Sequence, residues 1–248
     1  MTEQQRVSNE VISSPQADYD TFRYVSEESP CPYLPDLQSR SEAYFLDRLD
    51  GTMYERLLSL GFRRCGRFVY RPRCRACRAC RQLRIPVADF TPTRSMGRVV
   101  RCNSDVCVEI GRPAPSEEKF ELYRVYLDAQ HDGAMARTYE AFHEFLYDSP
   151  TETYELCYLL GRRLIGVSIT DRVPGGLSSV YMYFDPAHAS RSLGTFSVLW
   201  EIEHCRRKTL PYYYFGFYVA GSKTMAYKSR FRPNEVLAGN DRWVVFRG

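Results

Sequence analysis

Hydrophobic positions along this 248-residue chain change their spacing several times, and the changes divide it into regions. The opening MTEQQRVSNEVISSPQADYD has no periodic apolar face and no apolar leader, so residues 1–25 read as a disordered tail. SPCPYLPD (29–36) is a proline-stiffened extended stretch around Cys31. DGTMYERLLSLGF (50–62) has helical spacing, with Thr52 and Glu55 set as a capping box and Gly61 as the C-terminal cap. GRFVYRP (66–72) and LRIPVADF (83–90) are strand-like and flank a cysteine-rich loop.

A linker, GRPAPS (111–116), follows. Ser116 is placed to cap a helix from Glu117 toward His131, on which Phe120, Tyr123, Leu127 and His131 share a face. A second helix is predicted from Thr138 to Tyr147. YELCYLL (154–160), RLIGVSITDRV (163–173) and LSSVYMYFDP (177–186) are strands separated by turns at Gly161-Arg162 and Gly175-Gly176. RSLGTFSVLWEIEHCRRK (191–208) is a turn and a long helix ending in cations, and LPYYYFGFYVA (210–220) is a returning strand. The pattern predicts an α+β protein, with a basic cysteine-bearing unit over 26–110 and a larger helix-and-sheet unit over 116–248.

Composition sharpens this picture. Hydrophobic residues at 44% and aromatics at 14% describe a folded chain. No apolar run reaches the roughly 20 residues of a membrane span, and the expectation is a cytoplasmic protein with no membrane partner. Five of nine cysteines are scattered singly, as reduced thiols in a core would be. Charge is concentrated: residues 62–101 hold twelve arginines and one acid, Asp89, a local +11 in a chain of net +4. Such a segment suits a polyanionic partner, with a merely solvated basic face as the alternative.

Within it, Cys74, Cys77 and Cys80 stand in a Cys-x-x-Cys-x-x-Cys run. Three thiols on so short a loop can converge on zinc or an iron–sulfur cluster, with Cys31 as candidate fourth ligand; equally, they can pack beside the core.

SPCPYLPD, GFRRCGRFVYRPRCRACRACRQLRIPVADFTPTRS, DPAHASRSLGTFSVLWEIE and YYYFGFYVAGSKTMAYKSRFRP, with Trp243, resemble the bacterial branch of the aminoacyl-tRNA–protein transferases, over roughly residues 29–243. The resemblance implies transfer of an amino acid, leucine in this branch and arginine in the eukaryotic one, from charged tRNA to the N-terminal α-amine of proteins beginning with Asp or Glu, which marks them for degradation. It implies a GNAT-like acyltransferase fold for the second unit and matches Cys31 and the knuckle to the family's cysteine motifs. The adjacent Cys-Cys pair of the eukaryotic branch is missing here.

The chemistry is modest. An aminoacyl ester is already activated, so no nucleotide cofactor is needed. An α-amine of pKa about 7.7 to 8.0 is partly neutral at pH 7. The reaction therefore needs two positioned substrates and donors for the developing oxyanion. Ser192, Gly194 and Thr195 open the long helix, where amides can face a phosphate of the tRNA 3′ end. Tyr181, Tyr183, Tyr214, Tyr218 and Tyr227 are candidates to line the cleft and stack on the terminal adenosine, with Tyr181 also a catalytic candidate. Asp171 and Asp185 end strands, where a carboxylate could hold or deprotonate the amine. Lys228, Arg71 and Arg84 are candidate cations for the anionic substrates. From a different class stands a non-catalytic zinc-dependent nucleic-acid-binding module, which would use the same knuckle and arginines but leaves the long second unit unused.

Overall fold

The computed structural model describes residues 22–130, 137–239 and 241–247. Residues 1–21 of the expected tail and His131 lie outside them; residues 22–25, expected in that tail, instead form a strand paired along residues 42–45. The first part of the chain holds β1 (Phe22–Val25), β2 (Ser29–Pro30), β3 (Gln38–Ser39), β4 (Ser41–Phe45), α1 (Gly51–Ser59), β5 (Arg63–Cys65), β6 (Phe68–Pro72) and β7 (Arg81–Pro86). Next come α2 (Arg94–Cys102), β8 (Val106–Gly111), α3 (Glu117–Gln130) and α4 (Tyr139–Leu146). Then follow β9 (Thr153–Leu160), β10 (Arg163–Val173), β11 (Gly176–Phe184), α5 (Leu193–Arg207), β12 (Tyr212–Tyr218), β13 (Glu235–Leu237) and β14 (Trp243–Val245).

Two sheets carry the architecture. A four-stranded sheet runs β1-β4-β6-β5, and an eight-stranded one runs β14-β13-β7-β12-β11-β10-β9-β8. Strands β7 and β8 precede the predicted linker yet lie in the larger sheet, so the break at 111–116 does not separate the sheets. Burial fits β7 to the large sheet: Leu83, Ile85 and Val87 share one face and are almost wholly enclosed in the core beneath α5. Helix α5 packs on that region through Val198, Leu199, Ile202 and Cys205. On another part of the sheet α3 and α4 bury Tyr123, Leu127, Phe142 and Leu146 against Val167 and Ile169.

Helix α1 forms where predicted, but its cap differs. Asp50 supplies it, its Oδ1 accepting from the Thr52 and Met53 amides at 2.9 and 3.0 Å. The anion one residue before the helix suits the positive end better than the Thr52 hydroxyl. Glu55, freed from the expected box, accepts instead from the Gly175 amide at 3.1 Å and the Tyr214 hydroxyl at 2.9 Å. Gly61, at φ +89°, closes the helix as expected. Ser116 caps α3 through the Lys119 amide at 3.3 Å, and Thr138 caps α4 through Ala141 at 3.2 Å. Helix α2 escapes the pattern because only Met96 of its residues is buried.

The small sheet is joined to the large one by a buried ion pair. Arg64 on β5 donates from Nε and Nη2 to the two carboxylate oxygens of Asp171 on β10, at 2.8 and 2.9 Å, and neither side chain meets solvent. Thr153 adds a third donor at 2.8 Å.

Candidate active site

Strands β11 and β12 are the parallel neighbours in the large sheet, and they pair only at Gly176–Ser178 with Tyr212–Tyr214. Beyond Ser178 they diverge. Strand β11 stays with β10, shifting register between Ile169 and Thr170, and β12 turns toward β7 with a shift between Tyr214 and Gly216. Gly216 permits that shift: its φ is +85°, a conformation an L side chain rarely adopts. The wedge lies at the carboxyl ends of the parallel pair, where open sheets with helical crossovers take their ligands.

Two cations fill the wedge. From β5, Arg63 donates to the Ser178 hydroxyl at 3.0 Å and to the Ser179 carbonyl, next to where the parallel ladder ends. Lys228, on the 3₁₀ turn Ala226–Arg230, comes to the same place: a Cβ built on Gly216 would meet Lys228 Nζ and Arg63 Nη2 at 3.4 Å each. Neither cation has a carboxylate within salt-bridge distance among the described residues. Burial, with the neighbouring Arg63 charge second, lowers the Lys228 ammonium to about pKa 7. Lys228 is a sequence candidate; Arg63 is not, because nothing separates it from eleven other arginines except its position on β5.

The other candidates divide. Tyr181 is half-buried and packs edge-on to Tyr126 at 6.3 Å, and Tyr227 stands 5.8 Å from Phe215, so Tyr126, Tyr181 and Tyr227 form an aromatic wall near the wedge. Although 37% of Tyr227 meets solvent, its hydroxyl lies among protein groups, and burial is the first cause raising it to about 12. Ser192 adopts a left-handed conformation, φ 54° and ψ 48°, and no side chain caps α5. A Cβ on Gly194 would meet nothing within 4 Å, which leaves the amide end of α5 open. Thr195 donates its amide to the Ser192 carbonyl at 2.9 Å.

The rest are held in structural roles. Asp171 has both oxygens occupied by Arg64 and cannot receive an amine. Asp185 pairs with Arg163 at 2.7 Å and caps the following 3₁₀ turn through the Ala187 amide at 2.9 Å. Tyr183 is fully buried, its hydroxyl 3.4 Å from that of Tyr147. Tyr214 is 1% exposed, turned to Glu55, and Tyr218 packs on Phe246 at 4.9 Å. Arg84 is gripped by Glu235 at 2.7 Å and lies between the Tyr212 and Trp243 rings, 3.7 and 4.3 Å from their centroids. Arg71 pairs with Glu42 at 2.9 Å and lies 4.5 Å over Phe62.

The knuckle thiols gather without ligating geometry. Burial first, then Cys31, Cys74 and Cys77, push the Cys80 thiol up to about 12, so the four are near one another. Yet Cys74 Sγ points to the Arg40 carbonyl at 3.8 Å, and Cys77 Sγ accepts from the Ala79 amide at 3.4 Å. Among the described residues no group of three or more Cys, His, Asp or Glu is arranged to hold a metal ion.

A two-cation seat at the carboxyl ends of a diverging parallel pair, walled by tyrosines, gives this α+β fold a place with the charge to take an anion. Comparison gives the lineage: residues 29–98 and 118–238 match the N-terminal and C-terminal parts described as arginine-tRNA-protein transferase, and the chain belongs to that family of transferases. It is 37% identical over 227 residues to an aspartate/glutamate leucyltransferase of Hahella chejuensis, covering 90% of this chain and 96% of that one. It is 40% identical over 229 residues to an aspartate/glutamate leucyltransferase of Pseudomonas fluorescens, covering 90% and 95%. Among solved structures, L-PGS from Bacillus licheniformis gives a loose likeness, with TM-score 0.42 and 9% identity over 58% of this chain and 48% of that one. No helix among the described residues is long and apolar enough to cross a membrane.

Proposed function

We propose that this chain transfers leucine from leucyl-tRNA to the N-terminal α-amine of proteins beginning with Asp or Glu, producing a degradation signal. The observation that carries the reading is the Arg63–Lys228 pair at Gly216, a buried guanidinium and a half-buried ammonium with no carboxylate within salt-bridge distance among the described residues. An acidic first side chain completes them, and relatives named aspartate/glutamate leucyltransferase support that match. Charge-assisted hydrogen bonds to a carboxylate are the strong ones, and Arg63 is held in place by Ser178 and Ser179 before any substrate arrives.

In the reaction the neutral α-amine attacks the ester carbonyl carbon. A C–N bond forms, the C–O bond to the tRNA ribose breaks, and the proton lost by nitrogen leaves with the ribose hydroxyl. The chain's part is to seat the acceptor carboxylate on Arg63 and Lys228 and the donor's 3′ end between the open amide end of α5 and the Tyr126, Tyr181 and Tyr227 wall. The diverging strands and the helix after β11 support a GNAT-like reading of this unit. A metal at the knuckle would require the 73–80 loop to turn Cys74 and Cys77 away from their backbone partners; metal analysis of the purified protein tests it.

The functional test offers leucyl- and arginyl-tRNA in parallel, with peptides beginning in Asp, Glu, Lys or Ala, and reads mass shifts. The leucyl increment on Asp and Glu peptides alone is expected. The arginyl increment would assign the other donor, and no extension with either would overturn the reading.

A further inference from the structure

One cavity lies apart from the wedge. It has a volume of about 1640 Å³ and lies between the small sheet, the knuckle loop and the turn after β13. Its inner wall includes Gln82 and Phe217, the latter next along β12 to the glycine beneath Arg63 and Lys228. Seven arginines line it, against two lining carboxylates, Glu27 and Glu28.

The arginines are arranged by buried anchors. Glu42, 3% exposed, takes Arg23 at 3.0 Å, Arg71 at 2.9 Å and Arg73 at 3.5 Å. One carboxylate cannot neutralise three guanidiniums, so it fixes their stems and leaves excess charge facing the cavity. Arg78 donates to the Cys77 carbonyl at 2.8 Å, and Arg40 donates to the Ser26 carbonyl at 3.0 Å, both neutral acceptors. Arg73 and Arg75 keep 55% and 73% of their side chains in solvent. Tyr24 on the same wall is 45% exposed, an aromatic face among the cations.

We propose that this groove is a second binding site, separate from the wedge, that holds the sugar–phosphate backbone of an RNA, the body of the donor tRNA, without reading its bases. The proposal rests on the functional reading for the identity of the RNA, but not for the chemistry of the groove. Guanidiniums held by buried Glu42, by backbone carbonyls and, for Arg75, by Glu28 at 3.4 Å outnumber these carboxylates and match a run of phosphates. An acidic acceptor peptide brings few charges and is already served at the wedge. Base reading in duplex grooves uses carboxamides and arginines aimed at base edges. The one carboxamide lining this cavity, Gln82, is committed through Nε2 to the Phe62 carbonyl. Backbone contacts position a nucleic acid but carry no sequence information.

The test measures binding of uncharged leucine tRNA to the full-length protein by filter retention across a salt series, for wild type, Arg73→Ala/Arg75→Ala and Arg124→Ala. Arg124, exposed on α3 and outside the cavity, is the control for lost charge. The double variant is expected to bind at least about tenfold more weakly, with the log–log salt slope reduced by about two, while Arg124→Ala matches wild type. A tRNA for another amino acid is expected to bind wild type within about threefold of the leucine tRNA. Wild-type affinity and slope in the double variant would overturn the site, and so would weakened acceptor-peptide binding with tRNA binding intact. Strong preference for the leucine tRNA would overturn backbone-only recognition. Transfer assays separate the two readings: transfer with a silent groove refutes only the groove, and no transfer with a salt-sensitive groove refutes only the transferase.

Discussion

Asp171→Asn separates a structural carboxylate from a catalytic one. In the folded protein Asp171 receives two bonds from Arg64 and one from Thr153, and both members of the ion pair are sealed from water. The amide keeps the shape but removes the charge, and its nitrogen is a donor facing a donor. Arg64 then remains buried as an uncompensated cation. Breaking such a pair from one side costs about 3–5 kcal/mol. At about 2–4 °C per kcal/mol for a domain of this size, Tm should fall by roughly 6–20 °C. Arg64→Met/Asp171→Asn should regain much of that loss, since no unpaired charge remains. Calorimetry gives Tm and peptide extension at 20 °C gives kcat, normalised to the folded fraction. The expected result is a large loss of Tm with kcat retained within about threefold, taking 1.4 kcal/mol as tenfold in rate. Unchanged Tm with abolished kcat would refute the structural role and return Asp171 to the chemistry.

Three further outcomes follow from named groups. Lys228 binds an acceptor carboxylate only when protonated, a state favoured below about pH 7 and lost above it. Acceptor kcat/KM should therefore fall at high pH, and Lys228→Met should remove that limb while raising KM roughly 10- to 100-fold, the worth of a charged hydrogen bond. Glu201 is 1% exposed; burial raises its carboxyl, Ser168 and Ser197 donate to Oε1 at 2.8 and 2.9 Å, and Oε2 has no partner among the described residues. A folded pKa above the unfolded one means that stability present below the unfolded value, about 4.3, is lost as pH rises from there through the folded pKa, so Glu201→Gln should flatten the Tm–pH profile above about pH 4.3; an unchanged slope counts against it. Gly216→Ala places a methyl 3.4 Å from both wedge cations at φ +85°, and should cost about 1–2 kcal/mol in denaturant unfolding and raise acceptor KM; no change in either refutes the tight seat.

Much of the local structure was legible in sequence because its causes are local. The Ser116 cap, the helix beginning at Thr138, the strand alternation of 154–186 and the glycine closing α1 depend on neighbours within a few residues. The family blocks likewise named the activity, and Lys228 among the candidate cations is one the structure places at the wedge. What local pattern missed, it missed for stated reasons. Asp50, two positions earlier, outcompetes a plausible capping box, and α2 buries too little to show a face. Asp171 looks like any strand-end carboxylate until Arg64, 107 residues away in sequence, takes both its oxygens.

The sequence alone determined most of the longer helices and strands, the arginine-rich segment and the kinship. Only the tertiary structure decided which of twelve similar arginines reaches the wedge, which pairs with a carboxylate and which faces the groove, because a guanidinium's role is set by the partners that folding brings to it. It also decided that β7, in sequence part of the cysteine-bearing unit, belongs to the large sheet. Leu83, Ile85 and Val87 project from one face of that strand, and only packing shows that α5 covers it.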